Sequence, residues 1–118
     1  MLAAAWFSLC GYEIGWPLEP CHYDILVSRG GRILRVQVKT TRSRPANSWV
    51  VSLGSTSRRE RGYDPEEIDY FFLIDGDLEY YLIPVAVVGG LLQISLSKYQ
   101  QFRLDRAVPQ SSPQAQPT

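Results

Sequence analysis

Histidine and sulfur are scarce in this chain: its 118 residues include one His, two Cys and one Met. Two cysteines and one histidine without close ligand spacing do not make a structural zinc site, and Cys10 and Cys21 read as reduced thiols. Long apolar runs are also missing. No stretch approaches the roughly 20 residues that span a bilayer, so no membrane segment is expected. The apolar start from Met1 to Cys10 lacks a basic n-region and a small-residue cleavage site before Gly11, so it does not read as a secretory signal. A soluble, cytoplasmic protein is expected. No internal repeat is evident.

Acids are nearly absent from one segment. Nine of the 12 Lys and Arg residues fall between Arg29 and Arg61, where Glu60 is the sole acid. The stretch from Asp64 to Glu79 then carries seven acids and no base. The formal net charge of zero hides this segregation, and a basic segment of this kind suits a polyanion. At 45% hydrophobic content the chain supports one domain, expected over 1–107. From 108 to 118, Gln, Ser and Pro dominate, which predicts a disordered tail.

Ala3, Ala4, Ala5, Trp6, Phe7 and Leu9 favour a short helix that Gly11 would end. Strands are expected at Tyr12 to Trp16, His22 to Ser28, Ile33 to Thr40, Ser48 to Leu53, Tyr70 to Ile74, Leu78 to Pro84 and Leu91 to Leu96. Asp64-Pro65-Glu66-Glu67 has the cap and first-turn proline of a short helix, Pro84 to Val88 suits one helical turn, and Ser97 with Gln100 suggests a final capped helix.

Gly30-Gly31 sits between two strand-like runs. Both glycines tolerate positive φ, as a primed two-residue hairpin turn requires, so the runs should pair antiparallel with Ile25 facing Val36 and Asp24 facing Gln37. Alternation then puts Asp24, Gln37 and Lys39 on one face, with Ile25, Val27, Val36 and Val38 on the other. His22 falls opposite Lys39 in the same register. A carboxylate and an amide oxygen at this separation can share a hard divalent cation, typically magnesium, beside a lysine ammonium. Those parts suit phosphodiester hydrolysis, in which a metal polarises the phosphate and the ammonium stabilises developing charge. Arg42, Arg44, Arg58, Arg59 and Arg61 are candidates for contacts to nucleic-acid phosphates, with Thr40 and Thr41 as hydroxyl donors. The bland alternatives are a polar hairpin face and a solvated basic loop.

At Asp24 and Gln37-Val38-Lys39 the chain resembles the PD-(D/E)XK nuclease superfamily, whose signature is an aspartate on one strand and acid-x-lysine on the next. Tyr23-Asp24-Ile25-Leu26-Val27 followed by Arg35-Val36-Gln37-Val38-Lys39-Thr40-Thr41 is similar to the branch with glutamine in place of the second acid, which includes intron-encoded homing endonucleases and is similar in core to archaeal Holliday-junction resolvases. The resemblance implies an α/β, restriction-endonuclease-like fold with a central mixed sheet flanked by helices. It also implies magnesium-dependent cleavage of duplex or branched DNA, frequent homodimerisation, and the Val38 carbonyl as a further metal ligand.

Members of that superfamily usually carry a glutamate on the first helix, ahead of an alanine-rich stretch such as Ala3-Ala4-Ala5. Met1 follows that point, and Glu13 and Glu19 lie downstream of it. Three expectations remain open: a start placed too far downstream, a weakened nuclease, or a non-catalytic DNA-binding or assembly module on a nuclease scaffold. Glu13 could face the site if its strand is adjacent.

Overall fold

The computed structural model describes residues 1–54 and 66–105. Helix α1 (Leu2–Leu9) begins the chain and stops where Gly11 adopts φ of +93°, a conformation that suits glycine. Its buried face, Ala3, Trp6 and Phe7, follows the i, i+3, i+4 spacing of one helical side. Strand β1 (Glu13–Gly15) leads through a loop to β2 (Ile25–Arg29), and the Gly30-Gly31 turn returns the chain as β3 (Arg32–Thr40). Both glycines have positive φ, 60° and 82°, as the hairpin required.

After β4 (Val50–Ser52), the described chain resumes at residue 66 and enters β5 (Tyr70–Ile74) and β6 (Tyr80–Pro84). Helix α2 (Val85–Val88), β7 (Gln93–Ser95) and β8 (Arg103–Leu104) complete it. The main sheet has six strands in the order β1-β2-β3-β5-β6-β8, and β4 pairs with β7 in a separate two-stranded sheet. The main sheet is mixed because β3 and β5 run parallel, Val36 beside Tyr70 through Thr40 beside Ile74, while the other pairs are antiparallel. This is a restriction-endonuclease-like α/β architecture.

Side-chain alternation divides the core in two. On one face α1 packs Trp6 and Phe7 against Ile25, Val27, Val36, Phe72 and Leu82. On the other, Phe71, Leu73, Tyr81 and Ile83 meet Val51 and Leu53 around β4, Val85 and Val88 of α2, and Ile94 of β7. The second face is therefore covered mainly by the small sheet and one helical turn. Gln37 and Lys39, beside Phe71 and Leu73 in the parallel register, lie on this face.

Several expectations change. The β2–β3 ladder starts at Ile25 rather than His22, and β4 and β7 are shorter than the runs that suggested them. Ser97 and Gln100 cap no helix: Leu96–Lys98 and Gln100–Phe102 are single 3₁₀ turns. Gln100 instead directs its Nε2 to the Tyr81 hydroxyl and the Leu96 carbonyl, both at 3.0 Å, and the chain becomes the edge strand β8. Glu66 and Glu67 lie in a turn leading to β5. Asp64, Pro65 and the tail expected over 108–118 lie outside the described residues.

Candidate functional site

The site is built where β2 ends short of β3. The register pairs Ile25 with Val36, as the hairpin predicted. The Asp24 N–H also donates to the Val36 carbonyl, at 2.8 Å. Two successive residues on one strand thus oppose a single residue on the other, the arrangement of a β-bulge. Asp24 consequently does not continue the ladder opposite Gln37, although its side chain still reaches that residue. The bulge turns the carboxylate toward β3.

Asp24 Oδ2 accepts the Val38 backbone N–H at 2.8 Å and the Gln37 Nε2 at 3.0 Å. In an unbroken ladder Val38 would face Tyr23, so a side chain stands here in place of a strand neighbour. Gln37 Nε2 also lies 3.4 Å from the Val38 carbonyl. A carboxylate, a carboxamide and a main-chain carbonyl therefore converge. Asp24 and Val38 bring hard oxygens, Gln37 meets them with its amide nitrogen and carries its own oxygen on the same carboxamide, and both Asp24 bonds use Oδ2, leaving Oδ1 without a protein donor among the described residues. This donor chemistry fits a magnesium-type cation and not a thiolate-seeking metal.

Lys39 is two residues further along the strand and half-buried, with Nζ 3.3 Å from the Gly54 carbonyl. Burial lowers its pKa from the usual lysine value, against an opposing pull from the Asp24 charge. The packed second core face explains the desolvation. Arg35, on the same face, is directed elsewhere: its backbone N–H donates to Asp69 Oδ2 at 2.8 Å, its Nε to the same oxygen at 3.1 Å, and its Nη2 to Oδ1 at 3.2 Å. The Asp69 N–H returns a bond to the Arg35 carbonyl. One residue from the acidic segment thereby neutralises one from the basic segment across the parallel β3–β5 pair.

His22 has a partner that the hairpin register does not predict. Its Nε2 lies 2.9 Å from Glu67 Oε2, a contact between distant segments that local pairing could not reveal. Glu13 pairs with Ser28, four residues along β2 from Asp24, which at about 3.3 Å per residue separates them by about 13 Å. It is therefore not a member of this site.

In the basic loop, the Thr41 hydroxyl donates to the Val50 carbonyl at 2.5 Å and accepts the Ser43 N–H at 3.0 Å, fastening the loop to β4. Thr40 and Arg42 are exposed. Arg44 places its guanidinium 4.9 Å from the centroid of Trp49, whose Nε1 donates to Asp77 Oδ2 at 3.3 Å. Arg58, Arg59 and Arg61 lie outside the described residues. Among the tryptophans, Trp6 is in the core, Trp49 is half-buried and Trp16 is exposed.

The chain matches a family model described as PD-(D/E)XK endonuclease over residues 3–108. Its fold is similar to that of a bacterial homing endonuclease, I-Ssp6803I, with a TM-score of 0.65 and 26% sequence identity, covering 80% of this chain and 67% of that one. No curated protein matches it.

Proposed function

The chain belongs to the PD-(D/E)XK endonuclease family, and from that premise we propose that it is a magnesium-dependent endonuclease hydrolysing DNA phosphodiester bonds. The observation that carries this reading is the meeting of the Asp24 carboxylate, the Gln37 amide and the Val38 carbonyl beside Lys39. Asp24, Gln37 and Val38 would hold the cation. When bound, magnesium supplies Lewis-acid polarisation of the scissile phosphate. Lys39 stabilises negative charge developing on that phosphate, and its half-buried setting strengthens the interaction relative to bulk water. Asp24 is itself oriented by the Val38 N–H, so its remaining oxygen is held in place before a ligand arrives.

Thr40, Arg42, Arg44, Arg58, Arg59 and Arg61 contact the DNA backbone in this proposal, and sequence selectivity comes from elsewhere. Thr41, expected beside them, instead gives its one hydroxyl proton to the Val50 carbonyl and its N–H to the Ile74 carbonyl. The nuclease domain occupies 1–107. A homodimer acting on both strands of a duplex or branched substrate is part of the same proposal. A cytoplasmic location accords with unpaired Cys10 and Cys21, and no described helix is long and apolar enough to cross a membrane.

One observation favours a second reading. Among the described residues no three His, Cys, Asp or Glu side chains cluster as a metal site, so the charge offered to a cation is low. A non-catalytic DNA-binding or assembly module would need no more. Titrating magnesium against the full chain with linear and branched DNA separates the two: metal-dependent products are expected for the enzyme, and abolished by Lys39→Ala. Salt-sensitive binding without products, or undiminished cutting by the Lys39 variant, overturns the proposed chemistry.

A further inference from the structure

Gln37 is a buried residue, 9% exposed, and presents its amide to two acceptors, Asp24 Oδ2 and the Val38 carbonyl. An ionised carboxylate and a carbonyl can only accept hydrogen bonds, so without a cation between them the nitrogen end of the amide belongs there. A divalent cation reverses the demand. It attracts the same carboxylate and carbonyl oxygens but takes no ligand from an amide NH2, and only Gln37 Oε1 can complete the set. The two states require opposite ends of one side chain at one place.

We infer that Gln37 is a two-position admission group for the cation: amide nitrogen inward when the site is empty, amide oxygen inward when it is filled, exchanged by a half-turn about the last side-chain torsion. This rests on the proposed magnesium reading and adds to it the cause of cation control. In the inward-nitrogen position the amide ties the carboxylate with a charge-assisted hydrogen bond and holds a donor where a ligand is needed. Entry of magnesium therefore has to break that bond and the longer one to Val38. A carboxylate at position 37 has no donor end when ionised and adds a negative charge, so Gln37→Glu is expected to bind magnesium about tenfold or more tightly.

The test is a magnesium chloride titration of the ¹⁵N-labelled full chain, following the side-chain NH2 signals of Gln37 and the backbone amides of Asp24 and Val38. Gln37→Glu identifies the side-chain signals by their loss and is then titrated by calorimetry. Should carboxylate repulsion prevent that variant from folding, Gln37→Met, neutral and of similar length, supplies the assignment. The expected result is that the Gln37 NH2 signals leave their hydrogen-bonded positions on the same binding curve as the Asp24 and Val38 amides. If those backbone amides respond while the Gln37 signals stay in place, the two-position inference is overturned and the magnesium site stands. If neither backbone amide responds, the site reading itself fails and takes the inference with it.

Discussion

A Cβ added to Gly76 would lie 2.2 Å from Cη2 of Trp49, so the indole packs directly over that glycine. The same indole carries the Arg44 guanidinium and bonds Asp77, joining the basic loop to the β5–β6 turn. Gly76→Ala must displace the ring. The expected cost is about 1–3 kcal/mol, measured by urea unfolding. Arg44 then loses its seat, and DNA affinity should fall together with the salt dependence, the log–log slope losing about one unit as it would in Arg44→Ala. An unchanged slope in Arg44→Ala would remove that arginine from the phosphate-binding set.

Asp69→Asn should weaken the fold on one side of the pH scale. Burial pushes the Asp69 carboxyl upward, but its bonds from Arg35 outweigh that and leave it below the usual carboxylate range. A depressed folded pKa contributes stability above the unfolded value and loses it as pH falls through the folded one. Both partners are about one-third exposed, 32% and 33%, so solvent screening limits the effect. The variant is expected to lose about 1 kcal/mol at neutral pH. That difference should shrink below about pH 4, as urea midpoints taken across pH would show.

Lys39→Met separates stability from chemistry. Burial holds the lysine pKa below its ordinary value, so between the folded and unfolded values the unfolded state binds the extra proton and stability rises with pH. Removing this half-buried charge should stabilise the chain by about 0.5 kcal/mol or more at neutral pH, read as a higher Tm. Cleavage should vanish in the same protein. In the wild type, the alkaline loss of activity should begin below the range of an unperturbed lysine, because the ammonium is lost earlier. A Tm lowered by Lys39→Met would show that its packing outweighs its desolvation.

The hairpin was legible because its determinants are local: only glycine readily takes both turn positions, and alternation assigns each neighbouring side chain to a face. The β5–β6 hairpin was legible on the same grounds, from Asp75-Gly76-Asp77 between aromatic strands. The bulge at Asp24 was not. It depends on how the loop from Trp16 to Tyr23 delivers the chain, and no pattern in Tyr23-Asp24-Ile25 distinguishes it from a regular strand. The His22–Glu67 and Arg35–Asp69 contacts were hidden by sequence distance, since segregated charges in the chain recombine once β3 and β5 lie parallel. Gln100 misled because the glutamine of a capping pattern can equally serve a tyrosine hydroxyl brought by another strand.

Strand β3 outruns β2: its register with β2 ends at Val36, while its pairing with β5 continues to Thr40. From Gln37 onward its β2 side is a sheet edge among the described residues, and the Asp24 carboxylate covers the Val38 N–H there. Exposed edges of this kind recruit other chains through main-chain bonds. The aspartate thereby occupies a main-chain donor that a pairing strand would otherwise take. Asp24→Ala should form higher-order species on concentration, visible by light scattering, whereas Asp24→Asn retains an oxygen for the Val38 N–H and should remain dispersed.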